Sequence, residues 1–155
     1  MNSWLAIVNP HAGSAKGRKT KAAVLNELKS HCPGTLEVAE TEYAGHASVL
    51  ARKAADSNYA TVLSLGGDGT HNEVLNGLHD SKGKARNPDI ALGVVNAGTG
   101  GDFVRFLYGR QSPRKMASAI ALAKPRTIDI GRCTFTDFKG APQSRLFLNI
   151  ASCGL

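Results

Sequence analysis

The sequence is poor in the features that mark secreted, membrane-spanning or metal-stapled proteins. It has three cysteines, Cys32, Cys133 and Cys153, and no Cys-x-x-Cys pair, an odd set that argues against a disulfide framework or a cysteine-based zinc site. His11, His31, His46 and His79 share no spacing suited to a metal ion. No apolar run approaches the ~18 residues needed to cross a bilayer. The first residues, Met1 to Val8, lack a basic n-region and turn polar after five apolar residues, which excludes a signal peptide. A reducing, cytoplasmic compartment is the expectation. Aromatic residues make up only 6% and no nucleic-acid recognition motif occurs, so the excess of 19 basic over 12 acidic side chains does not point to nucleic acid.

What the chain does have is a globular composition, 42% hydrophobic and 20% charged over 155 residues. That length suits one domain, or one domain and the start of another. Its last residues, Arg145 to Leu155, read as an apolar strand running into the C-terminus, and a fragment of a longer protein is expected.

Short apolar runs alternate with helix-period segments. Trp4–Val8 is a buried-strand candidate ended by Asn9-Pro10, because a residue before proline is pushed out of the helical region. A helix follows over Lys19 to Ser30 with Ala22, Val24, Leu25 and Leu28 on one face. Thr35 to Thr41 is a strand, His46 to Ser57 a helix (Val49, Leu50, Ala54 inward), and Thr61 to Leu65 a third strand opening onto Gly66-Gly67. A helix carrying Val74, Leu75 and Leu78 comes next, then a loop over Asp80 to Asp89 and a strand over Ile90 to Val95. Helices over Asp102 to Tyr108 and Pro113 to Ala123 precede two consecutive strands, Ile128 to Gly131 and Leu146 to Ala151. The alternation predicts an α/β fold, a three-layer parallel sheet with helices on both faces. The change to consecutive strands near Pro125 sets the one domain boundary: residues 1–124, then 125–155.

Three strands end in loops suited to an anion, at the edge where open α/β sheets bind ligands. The first, Asn9 to Thr20, has the spacing of a P-loop at Gly13 and Lys19-Thr20. Arg18 stands where that motif needs a glycine for backbone to approach phosphate, and the P-loop assignment fails. The second is Leu65-Gly66-Gly67-Asp68-Gly69-Thr70-His71-Asn72-Glu73. Bare glycines let N–H groups face an oxyanion, and the following helix adds its positive N-terminus. Asp68 would repel a phosphate there, so its carboxylate makes sense with a divalent cation or a ligand donor in between. Thr70 and Glu73 have capping-box spacing, which taken alone is a structural role, and His71 is a helix-face residue beside the loop. The third loop, Gly98-Thr99-Gly100-Gly101-Asp102, repeats the arrangement, suggesting two helix N-termini converging on one polyanion. Neither glycine loop is a dinucleotide fingerprint, since Asn72 and Phe103 stand where a third glycine belongs.

The string from Gly66 to Gly77, Gly-Gly-Asp-Gly-Thr-His-Asn-Glu-Val-Leu-Asn-Gly, resembles the signature of the diacylglycerol kinase catalytic domain family, which includes bacterial soluble lipid kinases and sphingosine kinases. Asn9-Pro10-His11-Ala12-Gly13 resembles its opening Asn-Pro-x-(Ser/Ala)-Gly element. Thr41 and Gly45-His46-Ala47 resemble the segment after its second strand, and Gly98 to Arg105 resembles Gly-Thr-Gly-Asn-Asp-Phe-Ala-Arg. Two departures are Gly101 for that asparagine and Ala12 for serine. The resemblance implies a phosphofructokinase-like nucleotide-binding domain over residues 1–124, followed by the first strands of a truncated β-rich second domain over 125–155. It implies ATP with Mg2+ held by Asn9, Pro10, Gly13, Thr41, Gly66, Gly67, Asp68, Gly69, Thr70, Asn72, Glu73, Gly98 and Thr99. Asp68 would be the catalytic residue near the phosphates and the metal, and the general base would lie beyond Leu155.

The implied activity is ATP- and Mg2+-dependent phosphoryl transfer to a lipid hydroxyl such as that of diacylglycerol. The alternatives are a soluble-metabolite kinase similar to NAD kinases, which share Gly-Gly-Asp-Gly-Thr but lack the His-Asn-Glu-Val-Leu-Asn-Gly continuation, and a nucleotide-binding module without catalysis. From Arg105 to Arg132 seven basic residues face one acid, a net +6. Anionic headgroups attract such a stretch by ~1 kcal/mol per basic residue, so the expected partners are ATP and a lipid at the inner membrane surface, with no nucleic acid. Solvated helix faces account for most of these charges, and the membrane-surface expectation rests mainly on the resemblance. Oligomeric state stays open, a homodimer being one option.

Overall fold

A computed structural model describes residues 3–96, 101–109 and 111–148. The elements follow in the order β1 (Ser3–Val8), α1 (Ala15–His31), β2 (Thr35–Glu40), α2 (His46–Ala55), β3 (Tyr59–Gly66), α3 (Asp68–Leu78), β4 (Ala91–Asn96), α4 (Asp102–Tyr108), α5 (Pro113–Leu122), β5 (Gly131–Thr136) and β6 (Pro142–Phe147). The first four strands form a parallel sheet in the order β2-β1-β3-β4, and β5 and β6 form a separate antiparallel hairpin.

Alternate residues of β1 serve opposite layers, which is why that strand is apolar throughout. Trp4, Ala6 and Val8 join Val24 and Leu28 of α1, Val104 of α4 and Met116 and Ile120 of α5. Leu5 and Ile7 join Ala47, Ala51 and Ala54 of α2 and Val74 and Leu78 of α3. The sheet is thus covered on both faces, as the alternation predicts. The register sets Val8 beside Glu40 and Leu65, and Leu65 beside Val95. The loops leaving the four strands therefore share one edge.

Several local expectations change. α1 begins at Ala15, not Lys19, because Ser14 caps it by accepting the Gly17 N–H at 3.4 Å. Ala22 is exposed, and Lys21 takes its place on the buried face with Val24 and Leu28. On α2 the buried residues are Ala47, Ala51, Ala54 and Ala55, while Val49 faces outward. A close crossing with α3 is the reason: a Cβ on Gly77 would overlap the Ser48 carbonyl and lie 2.7 Å from the Ala51 methyl. Ile128 to Ile130 form no strand. The ladder starts at Gly131 and pairs it with Phe147 across a turn in which the Asp137 carboxylate accepts the Lys139 and Ala141 N–H groups, each at 2.9 Å. The expected strand Leu146 to Ala151 begins earlier, at Pro142, and its part beyond Leu148 lies outside the described residues.

Candidate functional site

The loop after β1 is organised by Asn9. Its N–H extends the sheet by donating to the Leu65 carbonyl at 2.9 Å. Its side-chain oxygen accepts the His11 and Ala12 N–H groups at 3.0 and 3.1 Å, and its amide nitrogen donates to the Thr70 hydroxyl at 3.2 Å. One side chain thereby folds the Pro10–Gly13 turn and ties it to α3. Lys21, one turn and a half into α1, reaches back to donate to the Asn9 carbonyl and, at 3.1 Å, to the Ala12 carbonyl. Burial lowers the pKa of this ammonium, as does the neighbouring Arg18 guanidinium, with Glu40 opposing. Sequence alone missed Lys21; its signal was the spacing of three and seven residues to Val24 and Leu28.

α3 starts directly at the end of β3, with Gly67 as its N-cap and no side chain closing its N-terminus. α1 and α5, by contrast, are capped by Ser14 and Ser112. The first N–H groups of α3 have no acceptor inside the helix, and a Cβ at Gly69 would meet nothing within 4 Å. Thr70 is consequently an interior residue of the first turn, so the expected capping box does not form. Its hydroxyl takes the Asn9 amide instead, and the Glu73 carboxylate accepts the Gly45 N–H at 3.0 Å. That bond draws the Thr41–Gly45 loop onto α3. Within the loop the Tyr43 and His46 rings stack at 4.5 Å, and His46 Nδ1 accepts the Glu42 N–H at 3.1 Å.

These contacts enclose a hollow of about 430 Å³ whose walls include Asn9, Thr41, Gly67, Gly69, Thr70 and Glu73. Pro10, Gly13 and Gly66 do not line it; Gly13 makes the turn, and Gly66 leaves room for Thr70, whose side chain a Cβ there would overlap. Asn72 lies on the far side of α3, in a second recess that shares Gly69 and Glu73 with the first. Asp68 is half-buried in the first turn and lines neither space. Gly98 and Thr99 lie outside the described residues. His71 is buried at 2% exposure, not displayed on the helix face, with Nδ1 2.8 Å from the Ser64 hydroxyl. Its Nε2 has no hydrogen-bond partner among the described residues, and burial pushes the imidazole pKa down to about 4 against a weaker opposing pull from Asp68.

An uncapped helix N-terminus, glycine backbone and neutral amide and hydroxyl groups offer donors to an anion on one part of the wall, with the Glu42 and Glu73 carboxylates on another. Among the described residues no cluster of three or more His, Cys, Asp or Glu could hold a metal by itself. A Mg2+ ion held at Asp68 would have to take most of its ligands from phosphate oxygens and water.

The family model for the diacylglycerol kinase catalytic domain matches residues 3–133. The chain belongs to this family. It is 35% identical over 148 residues to a diacylglycerol kinase of Staphylococcus saprophyticus and 34% identical over 149 residues to one of Bacillus subtilis; each match covers 96% of this chain and 44% of the relative. A crystal structure of a diacylglycerol kinase from Bacillus anthracis superposes with a TM-score of 0.63 at 28% identity, over 77% of this chain and 42% of that one. The chain thus spans less than half the length of these diacylglycerol kinases. Where the family pattern has asparagine, Gly101 stands as the N-cap of α4 with φ +89°. Glycine and asparagine are the residues most at ease in that left-handed region, so the exchange keeps the backbone while removing the side-chain amide.

Proposed function

We propose that the chain is the nucleotide-binding part of an ATP- and Mg2+-dependent lipid kinase, with a phosphofructokinase-like domain over residues 1–124 and the start of a β-rich second domain over 125–155. The observation that carries this is the uncapped N-terminus of α3 opening, at Gly67 and Gly69, into the hollow walled by Asn9, Thr41, Thr70 and Glu73. The family membership supplies the reaction class, and the phosphates of ATP fit the donor set.

In this reading the N–H groups of Gly69 and Thr70 receive phosphate oxygens, and Asn9 holds the turn and Thr70 in place. Glu73 keeps the Thr41–Gly45 loop closed against the nucleotide. Asp68, in the first turn of α3, would hold the Mg2+ that accompanies the nucleotide. That ion would supply charge compensation on the transferring phosphoryl group. The protein's contribution is alignment of the terminal phosphate with an acceptor hydroxyl, and exclusion of water from it. The acceptor in this reading is a lipid hydroxyl, the reaction class that the family membership supplies.

The deciding experiment uses the protein from its complete reading frame. Asp68→Ala should abolish transfer of labelled phosphate from ATP to a lipid extract while circular dichroism stays native. Retained transfer would remove Asp68 from the site. Transfer to NAD but to no lipid would replace the lipid kinase by the soluble-metabolite kinase.

A further inference from the structure

The recess on the other side of α3 has a chemistry of its own. It measures about 290 Å³ and lies between the first two turns of α3 and the hairpin, with Asn72, Glu73, Asn76, Cys133 and Arg145 on its walls. Gly69 and Glu73 of the first two turns of α3 line both this recess and the larger hollow. Arg145 is the one cation of the recess. Its side chain is exposed and makes no hydrogen bond or ion pair with any described residue. The strand that carries it is docked on α3. Neighbouring Leu146 is held through both backbone groups by the Asn76 amide at 2.9 Å, and the Leu148 N–H reaches Asn72 Oδ1 at 3.4 Å. The ladder further sets Cys133 opposite Arg145. The only carboxylate in the recess, Glu73, already accepts the Gly45 N–H.

An exposed guanidinium without a partner among the described residues, on a strand docked by two asparagines beside an uncapped helix N-terminus, is suited to a phosphoryl oxygen, which it can grip through two parallel N–H groups. We propose that Arg145 is a phosphate-recognition residue, receiving a phosphoryl anion that bridges the recess and the hollow at Gly69. This deepens the lipid kinase assignment and rests on it. The anion comes from one of two sources, the terminal phosphate of the nucleotide or a phosphate carried by the lipid acceptor itself.

The test compares wild type with Arg145→Gln and Arg145→Lys in the protein from its complete reading frame. Acceptors are phosphatidylglycerol and diacylglycerol, each presented in neutral detergent micelles. If the acceptor's phosphate is bound, Arg145→Gln lowers kcat/KM for phosphatidylglycerol at least tenfold, leaves diacylglycerol within twofold and leaves the KM for ATP unchanged. If the nucleotide's terminal phosphate is bound, both acceptors lose at least tenfold in kcat, and ATP binding weakens while ADP binding does not. In either case Lys restores part of the loss, because it keeps the charge but not the paired geometry.

A second readout needs no lipid turnover. Inorganic pyrophosphate should slow maleimide labelling of Cys133, followed by peptide mass mapping, at least threefold in wild type and not in Arg145→Gln. A protein that phosphorylates neither lipid overturns the kinase assignment, while the Cys133 contrast still decides the anion site. The proposal is overturned if the well-folded Gln variant matches wild type within twofold in labelling protection and with both acceptors.

Discussion

The side-chain amide of Asn76 pairs with both backbone groups of Leu146, accepting its N–H at 2.9 Å and donating to its carbonyl at 2.9 Å. An asparagine on a helix thus serves as one rung of a missing neighbour strand and docks the β5–β6 hairpin on α3. Leu146 is buried, so its backbone groups depend on that amide. Replacing Asn76 by Ala should destabilise the protein by about 2–4 kcal/mol, the cost of leaving a buried donor and acceptor unpaired. Urea unfolding followed by circular dichroism measures it. A loss under about 0.5 kcal/mol would mean that water replaces the amide there and the pair is dispensable.

His71 gives the protein a pH-dependent stability. Its imidazole is held neutral in the fold by burial, with a pKa of about 4 against an ordinary 6.5. Between those values the unfolded chain binds the proton and the folded protein does not. Stability is therefore full above the ordinary value, falls as pH drops below it, and stops falling once the folded imidazole itself titrates. The total loss from this group is about 3 kcal/mol, of which roughly 2 kcal/mol is gone by about pH 5. His71→Leu should flatten the slope of urea-unfolding free energy between about pH 7 and pH 5. An unchanged slope would place the titration elsewhere.

The centre of the sheet was legible because β1 and β3 are buried on both faces there: Trp4–Val8 and Thr61–Leu65 have no exposed polar face to confuse with a helix. The site was legible as loops but not as contacts. Thr70 and Glu73 have capping-box spacing, yet Gly67 already starts the helix, and both side chains turn to partners 61 and 28 residues away in sequence. Lys21 was hidden for a related reason. A lysine on a helix is ordinarily solvated, and only the fold shows that two carbonyls of the preceding loop wait at the end of its stem. β5, with Arg132, Thr134 and Thr136 along it, has no apolar run to announce a strand. The ladder with β6 and the Asp137 turn make it one.

Lys21 fastens the turn that Asn9 folds. Replacing it by Met keeps the buried stem and removes the ammonium, leaving the Asn9 and Ala12 carbonyls to solvent. The expected result is a stability loss of about 1–3 kcal/mol and a Kd for ATP·Mg2+ raised roughly tenfold, about 1.4 kcal/mol, by calorimetric titration. If stability falls and nucleotide affinity does not, the turn is structural only and the hollow beside it is not the nucleotide site.

Glu73 separates two explanations of its own position in the family signature. Through the Gly45 N–H it acts as a strut between α3 and the start of α2, a role that needs an acceptor but no charge. Its place on the wall of both spaces would also let the carboxylate act by charge on what binds there. Glu73→Gln keeps an acceptor oxygen at the same reach; Glu73→Ala leaves the Gly45 N–H unpaired and frees the Thr41–Gly45 loop. If the strut dominates, Ala should weaken ATP·Mg2+ binding roughly fivefold or more, about 1 kcal/mol, while Gln retains most of the affinity. Hydrogen exchange at residues 41–46 should accelerate in Ala alone, because only there does the loop lose its tether. Equal losses in Gln and Ala, with no change in exchange, would show that the negative charge and not the bond to Gly45 is what the site uses.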